Sequence, residues 1–256
     1  MPDRTEYSHG TPSYVDLQTS DPTAAREFYS GLFGWGYNEQ PMDDGAVYAM
    51  ATIRDRTVAA IAPLPPGAAA GGMPSHWNSY ITVTDVDATT ARVADAGGAV
   101  FMQPFDVFDA GRMSVAADPT GAMFALWQPK NSIGAEIVNE PGAYSWNELQ
   151  SSDVGAAAAF YEKLLGWEAQ PLEGMDYTML SLNGEGIAGA MKPPMAGVPS
   201  HWLVYFQVAD TDATVAKAQA SGGNVLSPPM DIPAGRFAVL SDPQGAVFAV
   251  IKAPDA

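Results

Sequence analysis

The chain repeats itself. Ser20-Asp21, followed by Phe28-Tyr29-Ser30-Gly31-Leu32-Phe33-Gly34-Trp35, returns 132 positions later as Ser152-Asp153 and Phe160-Tyr161-Glu162-Lys163-Leu164-Leu165-Gly166-Trp167. Pro74-Ser75-His76-Trp77 returns as Pro199-Ser200-His201-Trp202, and Asp85-Val86-Asp87-Ala88-Thr89 as Asp210-Thr211-Asp212-Ala213-Thr214, both at an offset of 125. Ala110-Gly111-Arg112 and Asp118-Pro119-Thr120-Gly121-Ala122 return 124 positions on, as Ala234-Gly235-Arg236 and Asp242-Pro243-Gln244-Gly245-Ala246. Five blocks in one order, with the drift falling between them, mean duplication. The expected organisation is two domains, 8–130 and 143–256, with a linker over 131–142. At 256 residues the chain is also near the length at which single cores give way to several.

Each half reads as two similar units. Tyr14–Gln18 is a strand. Asp21 is an N-cap, Pro22 a first helical residue, and Gly34 a stop. Val47–Thr52 and Val58–Ala62 are strands, and 63–74 is a proline-rich loop. The unit then recurs, with a strand at Asn78–Val83, a helix opened by Asp85 and closed near Gly97-Gly98, and strands at Val100–Met102, Met113–Ala116 and Ala122–Trp127. The chain is thus four βαβββ-like units.

Composition removes several functions. There is no cysteine, so no disulfide framework, thiolate metal site or cysteine nucleophile exists. Twelve basic against 29 acidic residues give a net charge of −17, which disfavours nucleic acid and anionic membranes. The N-terminus lacks an apolar signal core, and no apolar run reaches the roughly 20 residues of a membrane span. The expected location is the cytoplasm, with non-classical export the open alternative. No phosphate-cradling glycine loop or Gly-x-Ser-x-Gly elbow is present.

The Phe-Tyr…Phe-Gly-Trp and Phe-Tyr…Leu-Gly-Trp runs, the aspartates that precede them, and the two Asp-Pro-x-Gly turns resemble the vicinal-oxygen-chelate superfamily, the glyoxalase/bleomycin-resistance/dioxygenase proteins. The likeness covers nearly the whole chain. A nearer likeness is to a tandem-domain group of actinomycete proteins, in which a mycobacterial antigen and accessory proteins of polyketide antibiotic pathways are found. It rests on the Gly-Thr-Pro opening at 10–12, Phe33-Gly34-Trp35-Gly36-Tyr37 and the run from Gly235 to Gly245. The resemblance implies an α+β fold of tandem glyoxalase-like domains, whose four units form two cupped mixed sheets.

The family's metal enzymes carry His, Gln or Glu at inward strand positions. Seven residues before each helix-opening aspartate stand Tyr14, Asn78, Trp146 and Leu203. Four residues after the glycine of each Asp-Pro-x-Gly stand Ala125 and Ala249. None of these is a good donor for the metals in question. A further ligand position, on the middle strands of the first and third units, has no clear alignment. Three histidines, His9, His76 and His201, are the whole supply. The last two follow Pro-Ser at a strand entry. Each reads either as a packed strand-entry residue or as a residual ligand or proton donor.

Strand alternation places Tyr14, Asp16 and Gln18 on one face, and Trp146, Glu148 and Gln150 on its counterpart. Beside them run Asn78 and Tyr80, and Tyr205 and Gln207. Arg112 and Arg236 each open a strand after Ala-Gly. These twelve residues are the candidate site, with Asp16 and Glu148 as candidate acid–base groups and the others as ligand contacts. A structural ion pair, Asp16–Arg112 or Glu148–Arg236, is the competing explanation.

The expected function is metal-independent binding of a small planar, aromatic or carbonyl-bearing metabolite, in an antibiotic-pathway, sequestration or resistance role. No cofactor is expected. The alternative is a metal-dependent glyoxalase-like lyase or a hydroxylase of dioxygenase type. A third reading is a non-catalytic module recognised by another protein. The expected partner is a small molecule, with neither nucleic acid nor membrane, and the assembly a monomer or homodimer.

Overall fold

The computed structural model describes residues 3–42 and 45–254. The first half supplies β1 (Pro12–Thr19), α1 (Pro22–Phe33), β2 (Gly36–Pro41), β3 (Val47–Ile53), β4 (Arg56–Pro63), β5 (His76–Thr82), α2 (Val86–Ala91), α3 (Val93–Ala96), β6 (Ala99–Val107), β7 (Gly111–Ala117) and β8 (Met123–Pro129). The second supplies β9 (Tyr144–Gln150), α4 (Val154–Leu165), β10 (Glu168–Pro171), β11 (Thr178–Leu182), β12 (Glu185–Met191), β13 (His201–Gln207), α5 (Thr211–Ala220), β14 (Asn224–Ile232), β15 (Gly235–Ser241) and β16 (Val247–Lys252). Each half is one eight-stranded mixed sheet, in the orders β2-β3-β4-β1-β5-β8-β7-β6 and β10-β11-β12-β9-β13-β16-β15-β14. The α+β architecture of four related units is as the repeat implied.

Local chemistry starts and stops the helices. Asp21 and Asp153 accept the amides of Ala24 and Ala156, both at 3.0 Å, which satisfies an orphan donor of the first turn. Gly34 and Gly166 end the helices in the left-handed region, at φ 76° and 75°, where a side chain would be strained. The helix opened by Asp85 breaks at Arg92 into α2 and α3. Two polar strands, β2 and β10, extend the sheets at exposed edges and carry no apolar alternation by which they could have been expected.

The sheets pack helix face to helix face, and each core draws on both halves. One core joins Val15, Phe28 and Tyr29 to Phe206, Leu240 and Phe248; the other joins Ile81, Phe124 and Leu126 to Phe160, Tyr161 and Trp167. Equivalent contacts recur in each. Trp35 Nε1 donates to the Gly142 carbonyl and Trp167 Nε1 to the Gly10 carbonyl, both at 2.7 Å. Trp77 and Trp202 donate to the hydroxyls of Tyr29 and Tyr161, at 3.1 and 3.0 Å. Tyr29 in turn donates to buried Asp242, at 3.2 Å across the halves. The repeated motifs are therefore cement between the sheets. The opposite, concave faces are left free for two cups.

Candidate functional site

On the first concave face β1 pairs β5 so that Asp16 lies opposite Asn78 and Tyr14 opposite Tyr80. Asp16, 2% exposed, is ringed by neutral donors. Asn78 Nδ2 donates to Oδ1 at 2.9 Å, and Tyr80 and Tyr48 donate to Oδ2 at 2.8 and 3.2 Å. Burial raises the Asp16 carboxyl above the usual carboxylate range, against the three hydrogen bonds and nearby His76, which favour its charged form.

The second cup repeats the arrangement with different residues. Tyr205 and Gln150 donate to Glu148, at 3.1 and 3.2 Å. Tyr177 makes the third hydrogen bond to it and accepts one from Trp146 Nε1 at 3.1 Å. Leu203 stands opposite Glu148 where Asn78 stands opposite Asp16, and Gln150 supplies the donor that leucine cannot. Burial raises Glu148 as well. Among the described residues no lysine, arginine or histidine forms an ion pair with either carboxylate.

Tyr48 and Tyr177 were not among the residues expected from sequence. Counting from the paired strands, they occupy equivalent places in β3 and just before β11. The signal was a short one, Tyr48-Ala49-Met50 against Tyr177-Thr178-Met179, at an offset of 129 shared by no other block.

The two arginines are a correction. Arg112 forms a bidentate pair with Asp87, at 2.8 and 2.9 Å, and Arg236 pairs with Asp212 and Asp231. Alternation explains this. Met113 and Phe237 face the cups, so their neighbours face the helices. Ser114, on the Arg112 face, lies 2.7 Å from Thr90 of α2. Neither arginine meets Asp16 or Glu148, so the structural ion pair is also absent. Gln18 lies opposite His76 at the other end of β1. Gln207 closes β13, its backbone bonded to Gly142 and Ala143 of the connecting segment.

The first cup opens into a cavity of about 910 Å³, bordered by Tyr14, Tyr48, Met50, Tyr80, Met113 and Trp127. That is within the range of small-molecule sites. Residues of the segment joining the sheets, Ile133, Gly134 and Glu136 among them, close one side. Asp16 does not border the cavity and acts on it through Tyr48 and Tyr80. The second cup differs at a further residue of its floor. Ala60 pairs with Asp16, whereas Gly189 pairs with Glu148. A Cβ at Gly189 would lie 1.8 Å from the Tyr177 hydroxyl, so Tyr177 lies directly against the backbone there. The methyl of Ala60 denies Tyr48 the same pose.

The cup positions are poor in metal donors. Tyr14, Tyr80 and Ala125 pack together on the first concave face, and Trp146, Leu203 and Ala249 on the second. The middle strands contribute Ala60 and Gly189. His76 and His201 each hold Nδ1 2.9 Å from a proline carbonyl two residues back. Among the described residues no group of three or more His, Cys, Asp or Glu could hold a metal ion. The residues do not fit the family's metal.

The model of the Glyoxalase/Bleomycin resistance protein/Dioxygenase superfamily matches residues 11–126 and 143–250. The chain belongs to that superfamily. It is 54% identical over 257 residues to "Putative glyoxylase CFP32" of Mycobacterium tuberculosis, covering 98% of each chain. It is 39% identical over 261 residues to "Anthracycline biosynthesis protein DnrV" of Streptomyces peucetius, covering 97% of this chain and 95% of that one. The fold is shared with the Mn(II)-bound glyoxalase from Novosphingobium aromaticivorans, at TM-score 0.68 and 18% identity over 96% of this chain and 83% of that one. It is likewise shared with the 2,3-dioxygenase LapB from Pseudomonas sp. KL28, at TM-score 0.68 and 14% identity over 97% and 94%. Among the described residues of this superfamily member no helix is long and apolar enough to cross a membrane.

The raised carboxyls make a stability prediction. A carboxyl whose folded value is raised contributes stability that is fully present below its unfolded value, about 4, and is lost as pH rises through the folded value. Asp16 faces Tyr14, Tyr48, Tyr80 and His76, and Glu148 faces Tyr177 and Tyr205. The wild type is therefore expected to gain on the double variant Asp16→Asn, Glu148→Gln as pH falls from 7 toward about 4. The relative midpoint shift should be at least ~2–4 °C, the response to roughly 1 kcal/mol in a chain of this size. Parallel melting curves across that range would contradict the assignment.

Proposed function

We propose that the protein binds a small planar, aromatic or carbonyl-bearing metabolite in its first cup without a metal ion. The observation that carries this reading is the floor of that cup. Where the family's metal enzymes place ligands stand Tyr14, Asn78 and Ala125, around a carboxylate already satisfied by three neutral donors. Above it lies a cavity walled by aromatic rings and methionines, with a few fixed polar atoms. Trp127 and Tyr14 each meet Tyr80 edge to face, with centroids 6.3 and 5.7 Å apart, and offer flat surfaces to a planar ligand. The anthracycline-biosynthesis relatives support a role as pathway accessory or in sequestration and resistance. The reading places the protein in the cytoplasm as a monomer or homodimer, with no nucleic-acid or membrane partner.

A metal-dependent lyase or hydroxylase is the second reading, favoured by the glyoxylase name of the relative at 54% identity. It needs donors that the cup positions do not supply. The deciding experiment is native mass spectrometry of the protein taken from its source extract, with and without a strong chelator. The expected result is a small-molecule adduct in the first cup that survives chelation. A stoichiometric metal whose removal releases the adduct would overturn the proposal.

A further inference from the structure

We infer that the first cup selects a ligand by its cationic, hydrogen-bond-donating head, a protonated amine on an aromatic ring system, which docks on the oxygens of Tyr14, Tyr48 and Tyr80. The inference rests on the ligand-binding reading of that cup and names the chemical class it takes.

The warrant is a count of protons. A phenol has one hydrogen to give and lone pairs to accept with. With Asp16 ionised, Tyr48 and Tyr80 both spend theirs on Oδ2. The Tyr14 and Tyr48 hydroxyls interact with each other. The Tyr48 proton is spent on Asp16, and the Tyr14 hydroxyl keeps its own proton to give. Trp127 spends its indole N–H on the Ser132 carbonyl, at 3.0 Å. The aromatic floor thus offers three acceptor oxygens and a single donor, the Tyr14 hydroxyl. A ligand carbonyl finds one donor there and a carboxylate meets the Asp16 charge behind it, whereas an ammonium group finds three oxygens.

Charge points the same way. Of the charged residues bordering the cavity, Arg56 is paired with Glu136 and Asp3, Asp109 accepts from Asn131, and Arg4 lies over the Tyr7 ring. The two arginines and two acids at the rim cancel formally. Asp16, when ionised behind the tyrosines, forms no direct ion pair with a described residue, and His76 acts on it only at a distance. A buried carboxylate in that state is costly. A cation at the ring oxygens relieves it, and the electron-rich faces of Tyr14, Tyr48, Tyr80 and Trp127 add cation–π attraction. Hydrogen bonds with one charged partner are also about twice as strong as neutral ones.

The test uses three probes with one ring system, namely naphthylmethylammonium, naphthol and naphthoate, titrated calorimetrically at neutral pH into the wild type and Asp16→Asn. Expected is an order of ammonium, then naphthol, then naphthoate. The outer pair should differ at least ~10-fold, equivalent to about 1.4 kcal/mol, and Asp16→Asn should collapse that ratio to about twofold. Tyr48→Phe and Tyr80→Phe keep the rings and remove an acceptor each. They should weaken the ammonium probe severalfold and leave naphthoate nearly unchanged, which decides the matter if Asp16→Asn does not fold. Binding without this order, or an order that survives both tyrosine changes, overturns the inference and leaves the ligand-binding reading standing. If none of the probes binds, the inference also falls, and the reading beneath it is judged by the extract experiment.

Discussion

Replacing Trp167 with alanine is expected to cost about 3–5 kcal/mol of folding stability, as for other fully buried large aromatics, and to do so in both halves at once. Trp167 is 1% exposed and stacks on Tyr161, at 4.8 Å between centroids and 20° between planes. Its indole nitrogen ends on the Gly10 carbonyl of the other half. Against a typical total of 5–15 kcal/mol the loss is large. Because each core is built from both halves, denaturant unfolding should stay a single transition moved to lower denaturant. Two separated transitions would show that the sheets are stable apart and that the motif tryptophans do not join them.

Asp16→Ala is expected to weaken aromatic-ligand binding at least ~10-fold, about 1.4 kcal/mol, while Arg112→Ala leaves it within about twofold, as sites without shared partners behave independently. Removing the carboxylate leaves the Asn78 amide and the Tyr48 and Tyr80 hydroxyls without their acceptor, and an unmet buried donor costs roughly 1–3 kcal/mol. The tyrosines then turn to other partners, and the cup floor changes shape. Arg112 is engaged with Asp87 and Asp106 on the helix face and shares nothing with that floor. Calorimetric titration of the two variants separates the roles. Equal losses would mean that the arginine reaches the ligand after all.

The fold was legible because its signals are local and doubled. An aspartate cap, a glycine stop and a Phe-Tyr pair recur in two copies, and each copy supports the other. Asp16 and Glu148 were legible because β1 and β9 alternate cleanly from a landmark helix cap. Arg112 and Arg236 were misplaced because β7 and β15 have no such landmark. Their partner strands carry irregular register, at Val100/Met102 and Val225/Ser227 among other points, and the face of a strand flips with a single residue. Tyr48 and Tyr177 escaped notice for a related reason. They reach the carboxylates across β4 and β12, and the connections that lead into their strands, from Pro41 to Val47 and from Pro171 to Thr178, differ in length between the halves. The effect of Gly189 depends on the pose of Tyr177, which no spacing rule contains.

The most direct test of the central claim is a crystal structure of chelator-treated protein soaked with naphthylmethylammonium, collected with an anomalous signal sensitive to transition metals. The account predicts the aromatic ring in the first cup between Tyr14, Tyr80 and Trp127, its nitrogen on the tyrosine oxygens, no anomalous peak, and Tyr177 unmoved across Gly189. A probe that enters only when a metal is restored, with a peak beside Asp16 or Glu148, would contradict it.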